Sequence, residues 1–265
     1  MKSVVISPPF QTSFKITTNC EELVRLLKLK HGKYLTTFCC NDVKSITAIR
    51  KDDGLYDVAF SHKIVQDKSG VQAIDEIMFN NTQYDSNIFA IHGAAVEWQG
   101  RAYLFLASTT SGKSTLTSYL TSKGFGYIAE DCILLDRTSF EIHPYPTPIH
   151  LRDGGLDVLK RCHAEPHSFE IMNDQSLRRY VYTPSNCVDV PVALEKVFFI
   201  NRTDSENCVL PMNTTSRIMA LMKSPITPYP VTSEYLKFLS RLSSQDCFTL
   251  NYCDMDFVAE VIQNG

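Results

Sequence analysis

The sequence predicts an α/β fold with α+β elements at its flanks, and three adjoining observations lead there. Residues 102–106, Ala-Tyr-Leu-Phe-Leu, form a short continuous apolar run suited to a strand covered on both faces. Residues 107–114, Ala-Ser-Thr-Thr-Ser-Gly-Lys-Ser, then fit a phosphate-cradling P-loop, with Ala107 in the position usually held by the first glycine. From Thr115 the chain can continue as a helix. In that order, strand, loop and helix turn backbone N–H groups and the positive end of a helix dipole toward phosphate oxygens.

The other elements follow along the chain. Residues 1 to about 65 read as short alternating strands, such as 13–17 and 34–38, interrupted by a helix around 21–29. Val71, Ile74, Ile77 and Met78 space as one helical face for core packing, leading into the strand before His92-Gly93. We therefore expect a strand-rich region over 1–70, packed on a loop-bearing catalytic domain over 71–265. Trp98-Gln99-Gly100-Arg101 reads as a hairpin turn joining 94–96 to the loop strand.

After the loop, residues 114–122 make about two and a half helical turns, and Gly124 and Gly126 break the helix. Residues 127–129 are expected to return as a parallel strand beside the loop strand. That places Glu130 and Asp131 at the carboxyl end of a strand, where open α/β sheets bind ligands. Pro144, Pro146 and Pro148 forbid regular helix and suggest an extended segment that delivers Arg152 toward the site. The polar stretch 156–190 leaves room for a mobile substrate loop. A strand over 196–200 comes next, then helical faces at Ile218, Met219, Leu221 and Met222 and at Leu236, Leu239 and Leu242, the latter capped by Ser233. Residues 248–252 form a last strand, and Asp254 caps a terminal helix carrying Phe257, Val258 and Ile262.

Each residue type around the loop suits phosphate chemistry. Gly112 lets the backbone approach without a Cβ, Lys113 brings a movable positive charge to the β- and γ-phosphates, and the Ser114 hydroxyl can ligate magnesium. The candidate binding set for ATP is Ser108, Thr109, Thr110, Ser111, Gly112, Lys113, Ser114 and Thr115, with Ser114 and Asp131 on Mg2+. Glu130 is assigned to proton abstraction. Either acid can instead simply cap the strand end. His92 can orient Glu130, or be a turn histidine satisfied by backbone groups. Arg152 can neutralise charge on a transferred phosphoryl group, or be a solvated surface arginine.

The stretch from Ile91 to Gly100 (Ile-His-Gly-Ala-Ala-Val-Glu-Trp-Gln-Gly), the loop and Glu130-Asp131 together resemble the catalytic core of the HPr kinase/phosphorylase family. The resemblance covers about residues 70 to 155. It extends to short relatives that serve peptide-modification clusters such as those for lasso peptides. It implies a P-loop kinase core of the HPr kinase/phosphoenolpyruvate carboxykinase type that phosphorylates a serine on a small protein or peptide. By that resemblance His92 matches the family histidine, Glu130 the first acid, used as base, and Asp131 the second. Glutamate stands where the family commonly has aspartate. His150-Leu151-Arg152-Asp153-Gly154 is similar to the family's Glu-x-Arg-Gly loop, with His150 in place of the glutamate. That change argues against a metal role there and against phosphorolysis of the product.

Composition sets outer bounds. A chain of 265 residues buries a full core, and a net charge of −3 makes no global case for nucleic acid. Lys160-Arg161 and Arg178-Arg179 are local basic pairs of the kind usually found on solvated faces. Nine cysteines show neither a Cys-x-x-Cys pair nor a zinc-like spacing, and the odd count argues against a full disulfide framework. No signal-like or membrane-length apolar run is present, so a cytoplasmic protein without a membrane partner is expected. The expected activity is an ATP-dependent serine or threonine kinase for a peptide or small protein, such as a precursor peptide. A small-molecule kinase and a nucleotide-driven ATPase or switch are the alternatives, and a homo-oligomer stays open.

Overall fold

Phe14, Ile16 and Thr18 are buried and Lys15 is exposed, the alternation that makes the amino-terminal region a sheet. The computed structural model describes residues 1–9, 12–37, 43–67, 69–85, 87–108, 110–166, 169–174, 177–222 and 232–265. Two units emerge, Met1–Ser86 with Ile171–Arg179, and Asn87–Glu170 with Tyr180–Gly265.

The first unit holds β1 (Lys2–Ile6), β2 (Ser13–Thr18), α1 (Glu21–His31), β3 (Leu35–Thr36), β4 (Val43–Arg50), β5 (Tyr56–Phe60), β6 (Lys63–Asp67) and α2 (Gly70–Asp85). Its six strands run in the order β3-β1-β2-β4-β5-β6. β2 and β4 pair in parallel across the crossover that contains α1, and the other pairs are antiparallel. Leu23, Leu26 and Leu27 of α1 and Val71, Ile74 and Met78 of α2 are buried, so the expected stripe on α2 is core, with Ile77 half-buried. The boundary expected at residue 70 falls instead after α2, which belongs to the first unit.

The second unit begins with β7 (Ile88–Ile91), β8 (Ala94–Trp98), β9 (Arg101–Leu106), α3 (Lys113–Ser122), β10 (Gly126–Glu130), β11 (Ile133–Asp136), β12 (Glu141–His143), β13 (Ile149–Leu151) and α4 (Asp153–Arg161). The chain continues through β14 (Glu170–Asp174), β15 (Leu177–Tyr182), β16 (Val192–Arg202), β17 (Cys208–Pro211), α5 (Thr214–Met222), α6 (Ser233–Leu242), β18 (Cys247–Tyr252) and α7 (Met255–Gln263). The main sheet follows the path β10-β8-β9-β16-β12-β11-β7, with β18 between β16 and β17 off that path. β9, β16 and β18 are mutually parallel, a core that the mixed sheet surrounds. Leu116 and Leu120 of α3, Leu156 and Leu159 of α4, and Val258 and Ile262 of α7 share one apolar cluster with Phe105 and Phe198.

Several expectations meet their detail here. The hairpin is present: Trp98 pairs with Arg101, and Gln99 (φ 51°) and Gly100 (φ 79°) both take the left-handed conformation that a two-residue turn of this hand requires. Because β8 takes one edge of β9 and β16 takes the other, the acid-bearing strand β10 cannot be β9's neighbour. It pairs with β8 instead, one strand further out, which corrects the expected adjacency. The stretch 156–190 is not one irregular loop, since it includes most of α4 and the strands β14 and β15. β15 pairs with β13 from Ile149↔Tyr182 to Leu151↔Tyr180. The buried pair Leu156 and Leu159 on α4 supplies the helical stripe that the polar residues around it masked.

The α6 cap is Thr232, whose hydroxyl accepts from Tyr235 N at 3.1 Å, and not Ser233. With the helix so started, Tyr235 and Phe238 turn inward, their ring centroids 5.4 and 4.3 Å from that of Phe89, and Leu236 is left exposed. Asp254 caps α7 as expected, accepting from Asp256 N at 3.0 Å. Among the described residues no helix is long and apolar enough to cross a membrane.

Candidate functional site

β9 ends at Leu106, and α3 begins seven residues later at Lys113. Gly112 caps that helix at φ 93°, a left-handed conformation that glycine adopts without the Cβ penalty of other residues. A Cβ there would also stand 3.3 Å from the Tyr252 hydroxyl. Thr110 is left-handed too, at φ 70°, an outlier for a β-branched residue and a mark of backbone strain held in the loop. Ala107 has no positive φ, so alanine serves where glycine is usual. Thr109, expected in the binding set, lies outside the described residues.

Lys113 is only 6% exposed. Its ammonium lies across the loop and donates to the carbonyls of Ala107 at 2.9 Å and Ser108 at 3.1 Å. Burial pulls its pKa below the ordinary lysine value, and the nearby carboxylates of Glu130 and Asp131 oppose that pull. The adjacent Ser114 hydroxyl donates to Glu130 Oε1 at 2.5 Å. The Ser111 hydroxyl is buried and has no hydrogen-bond partner among the described residues.

The pairing register brings Glu130 to the loop. Glu130 stands opposite Ala94, which stands opposite Phe105 just before the end of β9. The small Ala94 between them leaves the glutamate arm a path to Ser114. Glu130 is 3% exposed, shut off from solvent on that path. Asp131 does not continue the strand. At φ 66° it turns left-handed and is half-buried, and its carbonyl accepts from His92 Nδ1 at 3.0 Å. A carbonyl only accepts, so His92 carries its proton on Nδ1. The expected link of His92 to the acid pair therefore runs through the Asp131 backbone.

Arg152 precedes α4, and its carbonyl accepts from Gly155 N and Leu156 N. A Cβ at Gly155 would meet Thr115 Oγ1 at 2.7 Å, so α4 starts hard against the first turn of α3. The Arg152 side chain is exposed. Among the described residues no hydrogen bond or ion pair joins it to Lys113, Ser114 or Glu130. Cys132 is buried beside the acids, its N–H donating to the Glu130 carbonyl at 2.9 Å.

On the other side of the loop lies a cavity of about 280 Å³ lined by Thr110, Ser111, Gly112, Ile200, Asn201 and Arg202. The residues from β16 were not among the sequence candidates. Their signal is faint: two polar residues, Asn201 and Arg202, directly after an apolar strand. Only the parallel pairing of β16 with β9 shows that this strand ends beside the loop.

The donor set suits a hard cation. Ser114 and Glu130 offer a hydroxyl and a carboxylate in contact, with the Asp131 carboxylate next in sequence, and oxygen donors of this kind fit magnesium. Among the described residues no cluster of three or more His, Cys, Asp or Glu side chains forms a metal cage. A P-loop magnesium needs none, because phosphate and water supply its other ligands. The site can thus accept oxyanions at the loop and a cation beside Ser114, with a half-buried carboxylate one residue beyond.

No protein-family model matches the chain, and no curated protein matches it. Among solved structures it is similar to an HPr(Ser) kinase/phosphatase from Coxiella burnetii, at 11% identity and a TM-score of 0.34, over 66% of this chain and 88% of that one. So low a TM-score leaves the site to rest on its own residues.

Proposed function

We propose that the chain is a magnesium- and ATP-dependent kinase that phosphorylates a serine or threonine hydroxyl of a peptide or small protein, such as a precursor peptide. One observation carries the reading: the loop lysine, the loop serine and a strand-end glutamate converge, with Ser114 Oγ 2.5 Å from Glu130 and Lys113 buried beside them. The resemblance of His92, the loop and the acid pair to the HPr kinase/phosphorylase core favours a hydroxyl of a peptide as acceptor.

The geometry suggests exchanging the two acids' roles relative to the sequence expectation. Glu130 is nearly inaccessible and already engaged with the metal-binding hydroxyl, so it belongs with Ser114 on the cation. Asp131 is half-buried on a turn held by His92, where an acceptor hydroxyl can reach it. Bound magnesium would supply charge neutralisation for the phosphate oxygens. Lys113 leaves the carbonyls of Ala107 and Ser108 to pair with the β- and γ-phosphates. Asp131 takes the proton that the acceptor hydroxyl loses as its oxygen attacks the γ-phosphorus and ADP departs.

The test is incubation with ATP, magnesium and candidate peptides, followed by mass spectrometry for a gain of one phosphate. Hydrolysis of ATP without transfer to any hydroxyl acceptor would defeat the kinase reading and favour an ATPase. The roles of the acids separate in the same assay. Asp131→Asn should slow transfer by about a hundred- to ten-thousandfold with nucleotide binding kept. Glu130→Gln should raise the magnesium concentration needed for half-maximal rate. The opposite pattern would restore Glu130 as the base.

A further inference from the structure

We infer that Asn201 and Arg202, at the end of β16, form the seat for the nucleoside end of the bound triphosphate, with the Arg202 guanidinium laid against the base. This rests on the nucleotide reading above and adds to it the residues that grip the part of ATP that does not react.

The sheet gives the loop two unlike sides. On one, β8 and β10 bring Glu130 to Ser114, and the reacting end of a triphosphate belongs there. On the other, β16 outruns the loop strand. Phe199 is level with Leu106, where β9 stops, and β16 continues through Asn201 and Arg202, still paired with Asn251 and Tyr252 of β18. Three further residues extend about 10 Å beyond the base of the loop. That overhang is the wall of the 280 Å³ cavity, whose opposite wall is Thr110, Ser111 and Gly112. A phosphate chain laid across the loop with its γ end at Glu130 has its other end at this wall.

The lining suits an aromatic, hydroxyl-bearing group. Ile200 is buried and gives the cavity an apolar floor. The Asn201 amide is exposed and already tied to the Asn251 side chain at 3.2 Å, which fixes its direction and leaves its carbonyl oxygen free to accept from a sugar hydroxyl or a base amine. Arg202 is exposed and forms no ion pair with a carboxylate among the described residues. A planar, weakly hydrated guanidinium stacks on aromatic rings, which an ammonium cannot do. At about 280 Å³ the cavity falls just under the range of roughly 300–1,000 Å³ that holds a whole drug-sized ligand, so it takes one portion of a nucleotide and not all of it.

The experiment compares two probes, ATP and inorganic tripolyphosphate, each with magnesium, by titration calorimetry. Arg202→Ala should weaken ATP about tenfold and leave tripolyphosphate within about twofold of the parent. Arg202→Lys should not restore ATP binding, because it keeps charge but loses the plane. Circular dichroism confirms the fold of these surface variants. Equal loss of both probes, or rescue by lysine, would make Arg202 a phosphate contact and overturn the inference. No change in either probe would overturn it as well. Lys113→Ala is the separate control: if the parent binds neither probe, or binds both independently of Lys113, the nucleotide reading itself fails.

Discussion

Each unit sets a lysine near a carboxylate, half-buried Lys30 in the first and buried Lys113 in the second, and the two clusters are built in opposite ways. In the first, Asp75 of α2 accepts from Lys30 at 2.6 Å and from His31 at 2.9 Å. Burial pushes the Asp75 carboxyl up, but Lys30 and His31 outweigh it and hold the pKa at about 2. In the second, Lys113 touches no carboxylate among the described residues. Its donors go to loop carbonyls, its pKa is lowered by burial, and the nearest glutamate is occupied by Ser114. In the first cluster the carboxylate is joined directly to the ammonium and to the imidazole. The second keeps an ammonium and a buried hydroxyl, Ser111, without a partner among the described residues, next to an open cavity. Breaking the first cluster would strand a buried charge, whereas the second leaves its ammonium on neutral carbonyls, an arrangement that the proposed phosphate ligand would complete.

The largest effect should come from replacing the loop lysine. Lys113→Met should lower kcat/KM for phosphoryl transfer by about a thousandfold. It should leave the urea midpoint unchanged or raised, because a methionine removes the cost of a buried ammonium. The sign with pH agrees. A lysine whose pKa is depressed by folding destabilises the native state at neutral pH, so the parent should gain stability at alkaline pH and the variant should not. A large loss of stability in Lys113→Met would erase the contrast between the clusters.

Next in size is the first cluster. Asp75→Asn leaves Lys30 and His31 without their anion and should cost about 3 kcal/mol in chemical unfolding, with the affinity of the loop for ATP unchanged. Asp75 is depressed on folding, so its contribution is fully present above an unfolded value of roughly 3.9 and is lost as pH falls toward about 2. Unfolding curves collected between these limits should show a slope in the parent that Asp75→Asn lacks. A parent and variant with the same slope would place the titration elsewhere.

The smallest effect sharpens the loop's side of the comparison. Gly112→Ala forces a Cβ into a left-handed backbone and to within 3.3 Å of the Tyr252 hydroxyl. It should cost about 1–2 kcal/mol. Calorimetry should show weaker binding of ATP and tripolyphosphate alike, since the defect lies where the phosphates meet the backbone. Unchanged binding of tripolyphosphate would argue that the phosphates do not meet the Gly112 backbone.

Much of the loop side of the site was legible because it is local. The loop is a short run between a strand and a helix in chain order, so the positions of Gly112, Lys113 and Ser114 at the start of α3 could be read from the sequence. The hairpin at Gln99-Gly100 was legible for the same reason. The acceptor side was less so. Glu130 and Asp131 are neighbours in the chain, yet one ends a strand and the other turns away from it at positive φ. Simple strand alternation could not assign them. Asn201 and Arg202 are not legible in the sequence because their position beside the loop depends on which strand β16 pairs with.

The sequence alone determined the α/β class, the strand, loop and helix that run from β9 into α3, and the place of the two acids after them, because apolar periodicity and turn chemistry act over a few residues. The tertiary structure decided everything that depends on pairing at long range. It placed β8 between the acids and the loop, joined Glu130 to Ser114 across the small Ala94, moved α2 into the first unit, and raised the end of β16 into a wall of the cavity. Strand pairing is a contest among many partners with similar local patterns, and packing settles it over the whole sheet.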